Sequence, residues 1–331
     1  MNITITGGSG FLGQKLAYRL LDANALSDSK GNFSKVEHIT LLDVVNPSKE
    51  LADNPRVTIL TGDITETSLL EKAIPISTDS IFHLAAVVSA GAEEDFDLGM
   101  SVNLDATRTI LDICRRHGTQ PKVIFASSCA AFGGDMPSVI EDMTARTPLT
   151  SYGTQKVVGE LLVNDYSRKG FVDGRALRFP TVVVRPGKPN KAASTFASSI
   201  IREPLQGHSA ICPVSPESMM FLASPRSIIE NIVRAHNISS DDWGPSREVT
   251  LPGFSMSISG MADALRNVAG NSVADRINWK PDPFIQKIVD GWPPVFNTEK
   301  ASALGFVKDS SMEDVINAFI EDELDGSKAE I

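Results

Sequence analysis

Met1-Asn2-Ile3-Thr4-Ile5-Thr6 runs directly into Gly7-Gly8-Ser9-Gly10-Phe11-Leu12-Gly13, and then into Gln14-Lys15-Leu16-Ala17-Tyr18-Arg19-Leu20-Leu21. The first piece is a short β-branched run, the second a glycine turn, and the third has helical spacing. Strand, tight turn and helix in that order predict a dinucleotide site. Backbone without Cβ lets a pyrophosphate approach the helix N-terminus, where unpaired N–H groups favour negative charge. The context carries this inference, since glycines at such spacing are common in turns. Gly7, Gly10, Phe11, Leu12 and Gly13 are therefore candidate cofactor contacts.

The alternation continues outward from this start. A second main strand is expected at 37–43, ending in Asp43, whose carboxylate can accept both ribose hydroxyls of adenosine and would repel a 2′-phosphate. That favours NAD over NADP, although Asp43 lies 30 residues past Gly13, longer than the usual interval of about 20. The segment 24–35 between them reads as an extended surface connection. The next strand, 57–64, brings Asp63 and Ile64 beside the adenine, and a helix is expected at 66–73. The apolar run 80–88 has the composition of a central parallel strand covered on both faces. Leu84, Ala85 and Ala86 at its end permit close approach of a cofactor, and His83 within it reads as a core histidine.

Residues 89–97 read as a loop over the carboxyl edge of the sheet, with Ser89 on one wall of a pocket. A long helix follows at 100–114, whose inward Asn103 requires a polar partner. Strand 122–128 delivers Ser127 and Ser128, helix 152–169 is expected to be capped by Ser151, and strand 174–179 ends at Phe179, a further cofactor candidate. The fold class is α/β, a Rossmann doubly wound parallel sheet flanked by helices, with a smaller C-terminal substrate-binding region. The expected division is 1–180 for cofactor and catalysis, and 181–331 mainly for substrate, with some later segments rejoining the first part. Helices are expected at 193–202, 225–236, 259–269, 274–277, 284–289 and 310–323. Irregular chain and short strands fill 204–218 and 243–257.

Composition narrows the function. A formal charge of −10 without any Lys/Arg block disfavours a nucleic-acid partner. No uncharged apolar stretch of about 18 residues is present to span a membrane. Three scattered cysteines suit a reducing compartment, so a cytoplasmic setting is expected. Five dispersed histidines give no metal-ligand spacing.

Tyr152-Gly153-Thr154-Gln155-Lys156 places a phenol and an ammonium one turn apart on one helical face. Such a pair can deprotonate an alcohol, because the lysine cation together with a positive nicotinamide lowers the tyrosine pKa. Ser128, at a strand end, can hold the substrate hydroxyl against Tyr152 and stabilise the developing carbonyl. Ser127 is the alternative if the strand ends one residue earlier.

Gly7 to Gly13, Asp43, Asp63-Ile64, Leu84-Ala85-Ala86, Asn103, Ser127-Ser128 with Phe132-Gly133, and Tyr152 to Lys156 together resemble the extended short-chain dehydrogenase/reductase superfamily. That group includes the sugar-nucleotide epimerases and dehydratases. The resemblance implies Tyr152 as general base, Ser128 polarising the reacting oxygen, Lys156 also binding the nicotinamide ribose, and Asn103 supporting the lysine through helix backbone and water. Relatives commonly have tyrosine where this chain has Phe132. The stretch from Leu177 to Asn190, continuing through Ala192 to Ser199, resembles a narrower family, the D-erythronate dehydrogenases. It implies NAD-dependent oxidation of the C2 hydroxyl of a four-carbon sugar acid.

Sugar-nucleotide enzymes usually carry asparagine at the place of Thr181, to hold the substrate diphosphate. A small aldonate instead needs a carboxylate clamp, for which a guanidinium is the best-shaped donor. Arg185 is the first candidate, with Thr181, Lys188, Asn190, Ser194 and Thr195 completing the contacts and Arg226 as another anchor. The competing functions are a nucleotide-sugar epimerase or dehydratase, a uronate or aldose dehydrogenase, and a non-enzymatic NAD-binding sensor. A homodimer is expected, through the helices starting at Met100 and Tyr152, whose outer faces include Ile110, Leu111, Leu161 and Leu162.

Overall fold

The computed structural model describes residues 1–23, 25–28, 31–187 and 193–324. In chain order the first half contains β1 (Asn2–Thr6), α1 (Phe11–Asp22), β2 (Leu26–Ser27), β3 (Phe33–Ser34), β4 (His38–Asp43), α2 (Lys49–Ala52), β5 (Val57–Thr61), α3 (Thr67–Ala73) and β6 (Ser80–His83). Then come α4 (Ser89–Glu94), α5 (Phe96–Gly99), a π-helical turn (Met100–Asp105), α6 (Ala106–His117), β7 (Lys122–Ser128), α7 (Ser151–Arg168) and β8 (Asp173–Phe179). Beyond these lie β9 (Thr181–Val182), α8 (Thr195–Leu205), β10 (Ala210–Cys212), β11 (Met219–Ala223), α9 (Pro225–Asn237), α10 (Ser240–Trp243), β12 (Glu248–Thr250) and β13 (Phe254–Ser257). The chain finishes with α11 (Ile258–Ala269), α12 (Asn271–Ala274), β14 (Ile277–Trp279), α13 (Pro283–Asp290), α14 (Glu299–Ala303) and α15 (Met312–Glu323).

A 7-stranded sheet in the order β12-β8-β7-β6-β1-β4-β5 forms the centre, with every neighbouring pair parallel. Strand order reverses between β1 and β6, which opens a crevice at their carboxyl ends. Neighbouring residues on a strand point to opposite faces, and both faces are covered. Ile3, Ile5, Phe82 and Ile124 pack with Leu16 and Leu20 of α1 and with Ile228 and Ile232 of α9. Ile81, Val123 and Phe125 pack on the other face with Leu70 of α3, Ile113 of α6 and Val163 of α7. A third core joins Val183 and Val184 to Ile200 of α8, Leu222 of β11, Leu265 of α11 and Phe319 of α15. Glu248 to Thr250 returns to pair with β8, so late segments do complete the main sheet. Among the described residues no helix is long and apolar enough to cross a membrane.

Several sequence expectations are corrected. The surface connection at 24–35 contains the antiparallel β2–β3 pair, and Leu26 and Ser27 are buried because Ser27 bonds to Asn237 at the end of α9. The central strand stops at His83, and the chain from Leu84 to Val88 then lines the crevice. The expected loop at 89–97 is instead α4 and α5. Its small residues suit close packing, a Cβ on Gly99 meeting the Gln155 amide of α7 at 2.7 Å. Thr150, not Ser151, caps α7, its hydroxyl accepting from the Gly153 N–H at 3.0 Å. The expected helix at 274–277 is the end of α12 followed by β14, which pairs with β10. Ile110 and Leu111 are core residues, each 1% exposed, whereas Leu161 is 51% exposed.

Candidate active site

A cavity of about 660 Å³ occupies the crevice. Gly7, Gly10, Phe11, Leu12, Gly13, Asp43, Asp63, Ile64, Leu84, Ala85, Ala86 and Phe179, all expected at a cofactor, line it. The glycines serve distinct needs. Gly7 has φ 69°, and a Cβ there would lie 2.7 Å from the Ala85 nitrogen; a Cβ on Gly13 would lie 2.1 Å from the Gly7 carbonyl oxygen. Strand, turn and helix therefore close on one another only with hydrogen at these positions. Gly10 precedes α1 in extended backbone without a side-chain cap, which leaves the first-turn N–H groups open toward the cavity. Asp43 is fixed at the rim, accepting from the N–H of Ser9 at 3.0 Å and of Val44 at 2.7 Å.

Tyr152, Lys156, Ser128 and Arg185 share this cavity. Ser128 ends β7 and accepts from the Ala130 N–H at 3.1 Å, and its hydroxyl is hydrogen-bonded to the Tyr152 phenol. Burial raises the Tyr152 pKa, while the Ser128 bond and the Arg185 charge pull it down. The Lys156 ammonium lies over the rings of Phe125 and Tyr152, at 4.8 and 5.5 Å from their centroids. Burial brings Lys156 itself down to about 7, against the pull of Glu160.

Arg185 is half-buried, and its pKa is lowered by desolvation, with Tyr152 opposing. Its Nε donates to the Val182 carbonyl at 3.0 Å and its backbone N–H to Ser198 Oγ at 3.0 Å. Among the described residues no carboxylate forms an ion pair with it. Thr195 also lines the cavity. Thr181 does not, being held in β9 against β11, and Ser89 begins α4 outside the lining. Lys188 and Asn190 lie outside the described residues. Arg226 is far from the cavity in role: it pairs with Glu321 at 3.0 Å and with Asp322 on the surface.

Asn103 stands in the π-helical turn and is buried. Its Oδ1 accepts from the Val87 N–H at 2.8 Å, and its Nδ2 donates to the Val87 carbonyl at 3.0 Å and to Gln155 Oε1 at 2.7 Å. It therefore ties the cavity wall at Val87 to the residue preceding Lys156. Ser127 is excluded as an alternative to Ser128, since its hydroxyl donates to the buried Glu160 carboxylate at 2.5 Å.

Sequence reasoning missed Ser198 and Arg202, which line the cavity from α8. Arg202 is 3% exposed; its Nη1 donates to the Arg185 carbonyl at 2.6 Å and its Nη2 pairs with Glu203 at 2.6 Å. The signal was available: Thr195, Ser198 and Arg202 follow i, i+3, i+7 spacing, a polar stripe on an otherwise apolar helix.

Comparison with known proteins agrees with this geometry. A D-erythronate dehydrogenase of Cupriavidus necator is 52% identical over 322 residues, 97% of this chain and 98% of its own length. One from Haemophilus influenzae is 46% identical over 321 residues, 97% and 99% of the two lengths. The crystal structure of a nucleoside-diphosphate-sugar epimerase from Agrobacterium tumefaciens superposes with a TM-score of 0.93 at 42% identity, covering 99% of this chain and 95% of that one. The NAD dependent epimerase/dehydratase family matches residues 3–219, from the first strand through the whole catalytic edge, and the chain belongs to that family.

Proposed function

We propose that this protein oxidises the C2 hydroxyl of a small sugar acid, D-erythronate to 2-oxo-tetronate, with NAD as acceptor. The observation that carries it is the Arg185 guanidinium sharing one cavity with Tyr152 and Ser128. A carboxylate held by Arg185 sets the adjacent carbon's hydroxyl toward the phenol. The names of the two relatives at 52% and 46% identity support the same substrate.

The residues present fit the cofactor. The open first turn of α1 and the hydrogen-only positions Gly7 and Gly13 suit a pyrophosphate, and the fixed carboxylate of Asp43 suits an adenosine ribose. NAD, when bound, supplies the redox chemistry by accepting hydride. The chain's own part is to orient and to move one proton. Tyr152, ionised to the phenolate, takes the C2 hydroxyl proton, Ser128 steadies the oxygen that becomes the ketone, and the Lys156 cation favours that ionised form. Asn103 keeps the lysine-bearing turn in register. In this scheme residues 1–180 hold cofactor and catalytic groups, and 181–331 mainly shape the acid's site.

NADH formation across four- to six-carbon aldonates and uronates tests the proposal. Steady release of NADH with D-erythronate supports it. Interconversion of a nucleotide sugar without net NADH would replace it by the epimerase function.

A further inference from the structure

Tyr152, Lys156 and Glu160 recur at every fourth residue of α7 and so share one face. The first two reach the cavity, whereas Glu160 does not line it and is 1% exposed. A buried carboxylate is unfavourable unless its oxygens are well supplied with donors. Glu160 accepts from Ser127 Oγ at 2.5 Å, Arg178 Nε at 2.9 Å, Arg178 Nη2 at 2.8 Å and Arg146 Nη1 at 3.3 Å.

The donors are placed with a purpose that packing alone does not require. Ser127 and Arg178 are register partners on β7 and β8. Each directly precedes a cavity residue, Ser128 and Phe179 respectively. Apolar contact already joins helix to sheet here, a Cβ on Gly159 being blocked by the Phe125 ring at 2.6 Å. A buried ion pair adds no stability that well-packed apolar groups of like volume would lack. What it adds is a fixed direction: one carboxylate sets the two strand ends against the helix that bears the phenol and the ammonium.

We infer that Glu160 is a positioning residue for this site, aligning Ser128 with Tyr152 through Ser127 and Arg178 and holding the proton on Lys156. The inference rests on the roles proposed above for Tyr152, Ser128 and Lys156. The groups that act on or touch the Lys156 ammonium are Tyr152 and Glu160, one turn to either side on its own helix, and His83 on β6. His83 is held at about 3 by burial and by Lys156 itself, and so is neutral. Glu160 is the anion that opposes desolvation of the ammonium.

Three variants decide the matter: Glu160→Gln, which removes charge but keeps shape; Ser127→Ala, which removes one bond and keeps charge; and Glu160→Asp, which restores charge. Kinetics would be paired with NMR titration of the Lys156 amine in ligand-free protein. For Glu160→Gln we expect kcat lower by about 10- to 100-fold, KM for acid and NAD within about twofold, and both the alkaline limb of the kcat profile and the Lys156 midpoint moved down by about one unit. Ser127→Ala should lower kcat severalfold with the pH profile in place, and Glu160→Asp should return the profile to that of wild type.

An unmoved Lys156 midpoint in Glu160→Gln, with only thermal stability lost, would make Glu160 a strut and overturn the inference. So would wild-type kcat in Ser127→Ala. If Glu160→Gln does not fold, Ser127→Ala and Glu160→Asp still decide alignment and charge. If the wild-type protein turns over no sugar acid, the proposed function fails, while the Lys156 titration in ligand-free protein still judges Glu160.

Discussion

The neighbouring strands β7 and β8 carry buried charge at both ends, and the ends are built differently. At the carboxyl ends a carboxylate, Glu160, gathers Ser127, Arg178 and Arg146. At the amino ends the buried cations go chiefly to neutral carbonyls. Lys122 donates to Ser27 O at 2.9 Å and to His236 O at 2.5 Å; Arg175 donates to His236 O at 3.3 Å and Ile238 O at 2.9 Å, besides its pair with Asp173 at 3.0 Å. The His236 and Ile238 carbonyls end α9, where the helix dipole favours cations. The amino end thus fastens α9 and the β2–β3 pair beneath the sheet. The carboxyl end faces the cavity, where a proton has to move. Alteration at one end should therefore appear in catalysis, and at the other in stability.

The largest expected separation comes from Tyr152→Phe. It removes the proton acceptor but leaves ring and cavity, so kcat should fall by about 10²- to 10⁴-fold with NADH binding and Tm nearly unchanged. Retained turnover would remove Tyr152 from the mechanism and break the contrast at its catalytic side. Arg185→Met should act next most strongly. Loss of a charge-assisted carboxylate contact costs about 1.5–3 kcal/mol, or roughly 10- to 150-fold in KM for the acid, with NAD affinity unaffected. An equal loss toward a substrate lacking the carboxylate would show that Arg185 only supports the wall formed with Val182 and Ser198.

Legibility followed sequence distance. The strand Lys122–Ser128 was expected with the bounds it has, and Ser128, Tyr152, Lys156 and the expected cofactor residues before 180 line one cavity, while Asn103 stands behind its wall, bonded to Val87. Local chain order encodes that much, because parallel strands deliver their ends to one edge. The helices at Ser89–Glu94 and Phe96–Gly99 were hidden behind Gly91 and several acids, since only packing against α7 makes those residues helical. Buried charges were equally opaque. Glu160 stands one turn beyond Lys156 with no partner near it in the sequence, and its donor Arg178 is 18 residues on. Lys122 finds its acceptor 114 residues away. A periodic pattern states which face is apolar, not which charge folds into it.

Lys122→Met gives the smallest of these effects and probes the amino end. Removing the ammonium takes a donor from the Ser27 carbonyl and leaves the His236 carbonyl with Arg175 alone, at a cost of about 1–3 kcal/mol, and Tm should drop by about 3–6 °C while kcat stays at the wild-type value. Its pH dependence has a definite sign. Burial brings Lys122 from 10.5 to about 7 in the folded protein, so between those values the unfolded chain holds more protons and stability rises with pH. Below about 7 this contribution is absent; above 10.5 it is complete. His83, lowered from 6.5 to about 3, and His236, also lowered by burial, act in the same direction on the acid side, so stability is lost as pH falls below 6.5. Thermal unfolding from pH 5 to 10 should then show a rising Tm in the wild type, and in Lys122→Met a shallower rise above pH 7, because Lys156, also brought down to about 7, still contributes there. A rise above pH 7 as steep in Lys122→Met as in the wild type would mean that Lys122 keeps its proton when folded, its carbonyls making up for its burial, and the two ends of the strands would no longer differ in kind.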